Sequence, residues 1–145
     1  MMITDTNVAQ SHARRVANSL GGMGARIDEE VIEAGEASKS VANANRLWQQ
    51  LLQHKADRKS VVVAVGGGVI GDLAGFVAAT YARGLAFVQV PTTLLAHVDS
   101  SVGGKVGVNL PNAKNMVGAF WQPLGVVLDT AALDTLPDRE YRAGL

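Results

Sequence analysis

The run Val61-Val62-Val63-Ala64-Val65 is followed at once by Gly66-Gly67-Gly68 and then by a stretch, Val69 to Ala82, that reads as a helix. A continuous β-branched run fits a strand covered on both faces, as in the centre of a parallel sheet. Glycines at its end let the backbone turn tightly and come close to a ligand. The unpaired amides of the helix start, reinforced by the helix dipole, then face an anion. A pyrophosphate is the natural occupant; close packing of helix on strand is the alternative use of the same glycines. The motif is neither GxGxxG nor a P-loop, because no Lys-Ser/Thr follows the glycines.

Strands and helices alternate around this unit. Met2 to Thr4 reads as a short strand, and Val8 to Leu20 as a helix ending at Gly21-Gly22. Ala25 to Ile32 alternates loosely, as a strand would. Ser38 or Ser40 caps a helix running to about His54, with Leu47, Trp48, Leu51 and Leu52 on its buried face. Ala86 to Val90 is a strand closed by Pro91, and Thr92 to Val98 a helix. Gly103 to Gly107 is a glycine-rich turn or hairpin, Gly125 to Leu128 a last strand, and Pro137 opens a final helix at its favoured first position. The expected fold class is α/β, a Rossmann-like, mainly parallel sheet with helices on both faces.

The 145 residues fit one domain, and 48% hydrophobic against 18% charged content supports a core rather than disorder. Thirteen Lys plus Arg offset thirteen Asp plus Glu, so nothing favours nucleic acid or an anionic membrane as a partner. Without cysteine the chain has no disulfide, thiolate metal site or thiol nucleophile, which suits a reducing cytoplasm. No secretory signal is evident, and the longest apolar candidate, Val61 to Ala79, is broken by glycines and Asp72. Both ends look cut: the chain stops at Leu145, inside a helical pattern, as a fragment would.

Asp72 is expected in the first turn of the glycine-led helix, either complementing its dipole or accepting from a ribose or nicotinamide group. Thr92 and Thr93 follow a strand end, at the carboxyl edge where open α/β sheets bind ligands, and also suit capping the next helix. The segment Asp99 to Asn109 sets one carboxylate and Lys105 among small residues, and Lys114-Asn115 follows. Two lysines on glycine-rich turns suit a substrate bearing carboxylate or phosphate. His12, His54 and His97 have no metal-binding spacing. The first two read as surface residues and His97 as helix packing near the site. Trp48, Phe120 and Trp121 read as core or interface.

The segments GGGVIGDLAGFVAATYARG, VQVPTTLLAHVDSSVGGKVGVN, KNMVGAFWQP and DTLPDREYRAGL, with TDTNV and GEASKS upstream, together resemble 3-dehydroquinate synthase in collinear order. The resemblance implies an NAD-dependent, metal-dependent lyase of the shikimate pathway. It would convert 3-deoxy-D-arabino-heptulosonate 7-phosphate to 3-dehydroquinate and phosphate by transient oxidation, phosphate elimination, re-reduction and aldol closure. It implies that Asp5, Asn7, Glu36 and Lys39 contact the adenosine end of NAD and that Gly67, Gly68 and Val69 hold the pyrophosphate. Asp72 would lie near the nicotinamide, with Thr92, Thr93, Leu133, Asp134 and Thr135 bordering the cofactor. Asp99, Lys105, Lys114 and Asn115 would face the substrate, the two lysines also lying against the cofactor. Arg83 would reach the substrate phosphate of a neighbouring subunit, which implies a homodimer. Residues 1–136 would be the NAD-binding α/β domain and 137–145 the start of a C-terminal metal-binding domain. The family's zinc or cobalt ligands, a glutamate after the AGL segment and two later histidines, match no residue here, so the isolated chain is expected not to turn over substrate. Another sugar-phosphate cyclase, a glycerol dehydrogenase-like enzyme and a non-catalytic nucleotide-binding remnant are the competing readings.

Overall fold

The computed structural model describes residues 1–145. Its centre is a five-stranded, all-parallel sheet in the order β2-β1-β3-β4-β7. The strands are β1 (Met2–Asp5), β2 (Glu29–Ile32), β3 (Val61–Gly66), β4 (Ala86–Pro91) and β7 (Gly125–Val126). The Val-rich run is the central strand β3, between β1 and β4, as its composition requires.

Alternate residues of β3 feed two faces. Val62 and Ala64 join Ile3, Phe87 and the apolar sides of α2 (Val41–Gln53) and α3 (Gly68–Thr80) in the main core. Val63 and Val65 face α1 (Arg14–Gly22) with Met2 and Ala13. That second face is thinly covered. A cavity of about 680 Å³ opens there, lined in part by Val61, Val63, Val88, Val90 and Val127.

Between β4 and β7 the chain makes an antiparallel hairpin, β5 (Lys105–Leu110) and β6 (Ala113–Phe120), which lies on α3. Val106 and Val108 point into the core, where Val106 meets the helix at Gly75. A Cβ on Gly75 would sit 2.3 Å from Val106 Cγ1 and 2.9 Å from Phe87 Cε1, so only glycine lets helix and hairpin approach this closely.

Several sequence expectations change. Leu52 is 63% exposed, because Ala44, Leu47 and Leu51 define the buried stripe of α2 and the next residue is turned about 100° away from it. The second strand is confined to Glu29–Ile32. The hairpin runs well past Gly107 and turns at Pro111-Asn112. The helical turn after β4 begins at Leu94 and widens into a π turn over Ala96–Ser100. The helix after the triplet already starts at Gly68, so Asp72 lies just beyond its first turn. His12 is buried rather than at the surface, its Nε2 2.8 Å from Thr135 Oγ1. Phe120 is 77% exposed and belongs to no core, whereas Trp48 and Trp121 pack on the main one. No helix is long and apolar enough to cross a membrane.

Candidate functional site at the carboxyl edge of the sheet

In sequence order the chain adds β2 on one side of β1, then returns to place β3 on the other. The carboxyl ends of β1 and β3 therefore flank a topological switch point, where open α/β sheets leave a ligand crevice. Asp5 ends β1, Gly66 ends β3 and Pro91 ends β4, so all three strands deliver their following turns to this edge.

The turn after β3 is built to expose backbone. Gly67 is the N-cap of α3, and no side chain caps that helix. The first-turn amides stay available to an anion. Thr92, 3% exposed, holds the neighbouring turn by donating its N–H to the Gly66 carbonyl at 2.9 Å. Thr93 walls the cradle: a Cβ on Gly67 would lie 3.0 Å from its methyl carbon. Thr93 Oγ1 also accepts from Ala96 N–H at 3.2 Å, so the second threonine is the one that caps the next helical turn.

Beside the cradle a buried cation organises four polar side chains. Lys39 Nζ donates to Asp72 Oδ2 at 3.0 Å and to Asn115 Oδ1 at 2.7 Å, and it lies 3.3 Å from Glu36 Oε1. Its side chain is 6% exposed. Asn109 Nδ2 donates to Glu36 Oε1 at 2.9 Å, while its Oδ1 accepts from Asn115 N–H at 2.9 Å. Asn115 adopts φ 56°, a left-handed conformation that asparagine tolerates better than most residues. Burial pushes the Asp72 carboxyl up, and Lys39 offsets only part of that. Burial also pushes Glu36 up, but the Asn109 hydrogen bond and the Lys39 and Lys114 charges together hold it below its ordinary value. Asn109 is the residue the sequence reading left without a role. Its only signal there was its place at the end of the GGKVGVN segment.

The other expected residues line the rim. Asp5 has its carboxyl raised by burial, against the hydrogen bonds it accepts from the amides of Asn7 and Val8; Asn7 itself is exposed. Asp99 is exposed on the π turn. His97, through Nε2 at 2.9 Å from the Pro91 carbonyl, ties that turn to the end of β4. Leu133, Asp134 and Thr135 fall in the 3-10 turn Thr130–Thr135, which the His12–Thr135 contact fastens to the turn after β1. Lys105 and Lys114 are both exposed. By register Lys105 opposes the exposed Phe120 at one end of the hairpin, and Lys114 lies near the other end, beyond the register shift between Val108 and Leu110 and on the order of 20 Å away along the strand. Lys114 borders a second cavity, of about 630 Å³, together with Glu36, Lys39 and Asn109. Arg83 is exposed at φ 66°, after Ala82 at φ 51° and before Gly84 at φ 123°, a run of positive φ that turns the chain from the end of α3 towards β4. No group of three or more His, Asp or Glu is gathered in a way that would hold a metal.

Comparison with known proteins agrees with this fold. The family described as 3-dehydroquinate synthase N-terminal matches residues 29–143. The chain is 57% identical, over all 145 residues, to 3-dehydroquinate synthase of Rhodopirellula baltica and spans 39% of that relative's length. Among solved structures it resembles 2-deoxy-scyllo-inosose synthase, described as complexed with carbaglucose-6-phosphate, NAD+ and Co2+, at TM-score 0.93 and 36% identity. That match covers 99% of this chain and 39% of the other. It also resembles 2-epi-5-epi-valiolone synthase of Streptomyces hygroscopicus, described with NAD+ and Zn2+ bound, at TM-score 0.92 and 30% identity, covering 99% of this chain and 40% of that one. A glycine-led helix start at the switch point and a matching family description over most of its length place the chain in the 3-dehydroquinate synthase N-terminal family.

Proposed function

We propose that this chain is the nucleotide-binding part of a 3-dehydroquinate synthase, with residues 1–136 forming that part. The parent enzyme converts 3-deoxy-D-arabino-heptulosonate 7-phosphate to 3-dehydroquinate and phosphate. The observation that carries the reading is the uncapped start of α3 at Gly67-Gly68, open at the switch point and walled by Thr93.

The residues present fit NAD. Backbone amides of Gly68 and Val69 suit its pyrophosphate. Asp5, Asn7 and the Glu36–Lys39 turn stand on the adenosine side, with Thr92, Thr93 and Leu133 to Thr135 along the rim. Bound NAD would supply reversible hydride transfer. This chain's own part is to hold the dinucleotide, with Asp72 near its nicotinamide, and to present Asn115, Asp99, Lys105 and Lys114 towards an acidic sugar phosphate. Lysine and arginine are the side chains that hold carboxylate and phosphate. Arg83, exposed on the turn after α3, suits the phosphate of a substrate in a second subunit, so the parent acts as a homodimer, in the cytoplasm. The residues present do not fit a divalent metal; zinc or cobalt would be held by other parts of the parent.

The test is titration calorimetry of the chain with NAD+, with Gly67→Val as control. Saturable binding that the substitution abolishes is expected; equal binding by both proteins would refute the cradle. Assay of the parent with the heptulosonate, sedoheptulose 7-phosphate and glucose 6-phosphate then separates dehydroquinate synthase from other cyclases, and phosphate release from the heptulosonate alone is expected.

A further inference from the structure

Behind the glycine cradle is a small cavity of about 10 Å³, lined by Gly66, Gly67, Gly68, Gly71, Gln89 and Ser100 among others. Two polar side chains meet it, those of Ser100 and Gln89. Ser100 Oγ is fully buried and unsatisfied. Gln89, on β4, is 4% exposed, and its amide lies beside the first turn of α3, with Oε1 3.7 Å from where a Cβ on Gly71 would be. At Gly68 a Cβ would be 3.0 Å from Ser100 Oγ, so the hydroxyl lies tight against the glycine turn.

Buried hydroxyl and amide groups are rarely left unpaired, and cavities that stay empty are apolar. The volume here matches about one water molecule, which needs two to four polar partners. It is too small for phosphate, and no charged side chain lines it. A water both donates and accepts, so it satisfies the Ser100 hydroxyl and either orientation of the Gln89 amide.

We propose that this cavity is a built site for a single water, held by Ser100 and Gln89 against the glycine turn. The water joins three elements: β4 through Gln89, the first turn of α3, and the π turn through Ser100. That π turn also carries Asp99 on its exposed side. Ser100 and Gln89 are thus positioning residues, which keep the cradle and the Asp99 turn in register through the bound water. The water itself is independent of any nucleotide; its effect on nucleotide affinity rests on the function proposed above.

High-resolution crystal structures of the full chain, grown with and without NAD+, test the site directly. An ordered water within hydrogen-bond distance of Ser100 Oγ and the Gln89 amide in both is expected. An empty cavity, or a Ser100 hydroxyl bonded to another protein group, overturns the proposal. Ser100→Ala and Gln89→Met should each lose the water and weaken NAD+ binding roughly threefold to tenfold, about one hydrogen bond's net worth. Unchanged NAD+ affinity in variants that have lost the water overturns the positioning role. Failure of the unsubstituted chain to bind NAD+ counts against the nucleotide reading alone, and the electron density then decides the water site.

Discussion

Lys39 carries three N–H donors, and three side-chain oxygens surround it: Asp72, Asn115 and Glu36. Removing the ammonium in Lys39→Met leaves Asp72 short of its counter-charge. Breaking a fully buried pair costs about 3–5 kcal/mol, but the Asp72 side chain is 23% exposed and can recruit water or a proton. We therefore expect a loss of about 2 kcal/mol in urea unfolding; a neutral variant would show that the cluster is not formed. The two carboxylates respond to pH in opposite senses. Glu36 is held below 4.5, so its contribution to stability is present above that value and fades as pH falls through the lowered one. Asp72 is raised above 3.8, so its contribution is full below 3.8 and fades as pH climbs through the raised value. Relative to the parent chain, Asp72→Asn should gain stability as pH rises from about 3 towards neutrality, while Glu36→Gln should lose it. Parallel curves for the two variants would contradict the assignment.

At the scale of elements, the decisive contact is that of the β5–β6 hairpin with α3. Gly75→Ala would ordinarily favour a helix by about 1 kcal/mol. Here the added methyl meets Val106 and Phe87, and overpacking a tight core costs about 1–3 kcal/mol. The clash should win by about 1 kcal/mol, and pairing the substitution with Val106→Ala should recover part of the loss. A stabilised Gly75→Ala protein would mean that the hairpin does not rest on the helix. β3 and the start of α3 were legible in sequence because a local pattern, Val61 to Gly68, specifies both. β6 was not: Ala113 to Phe120 shows no clear apolar alternation, and its strand state comes from pairing with β5. Leu52 misled for a related reason, since a pair of adjacent leucines does not reveal which of them the helix turns inward.

At the scale of the whole molecule, one sheet face is sealed by α2, α3 and the hairpin, while the other has α1 and an apolar trench. The glycine cradle draws on turns from β3 and β4, with β1 and the turn after β7 at its rim, so binding of the proposed nucleotide there should stabilise the fold globally rather than one loop. At a hundredfold excess over its dissociation constant, a ligand that binds only the native state adds about 2.7 kcal/mol. For a chain of this size that corresponds to a rise in Tm of several degrees, roughly 5–15 °C, in a calorimetric scan with NAD+. An unchanged Tm in a large excess of NAD+ would mean that the native chain does not bind the nucleotide.

By itself the sequence determined the parallel α/β class, the central strand, the glycine turn and the family, because each is encoded in residues adjacent in the chain or in motifs kept in order. Only the tertiary structure decided that Lys39 and Asn115, 76 positions apart, share a hydrogen bond, that His12 meets Thr135 across 123 positions, and that Ser100 and Gln89 close a cavity behind the glycines. Such contacts depend on how elements stack and where the hairpin lands, and no local period or propensity carries that information.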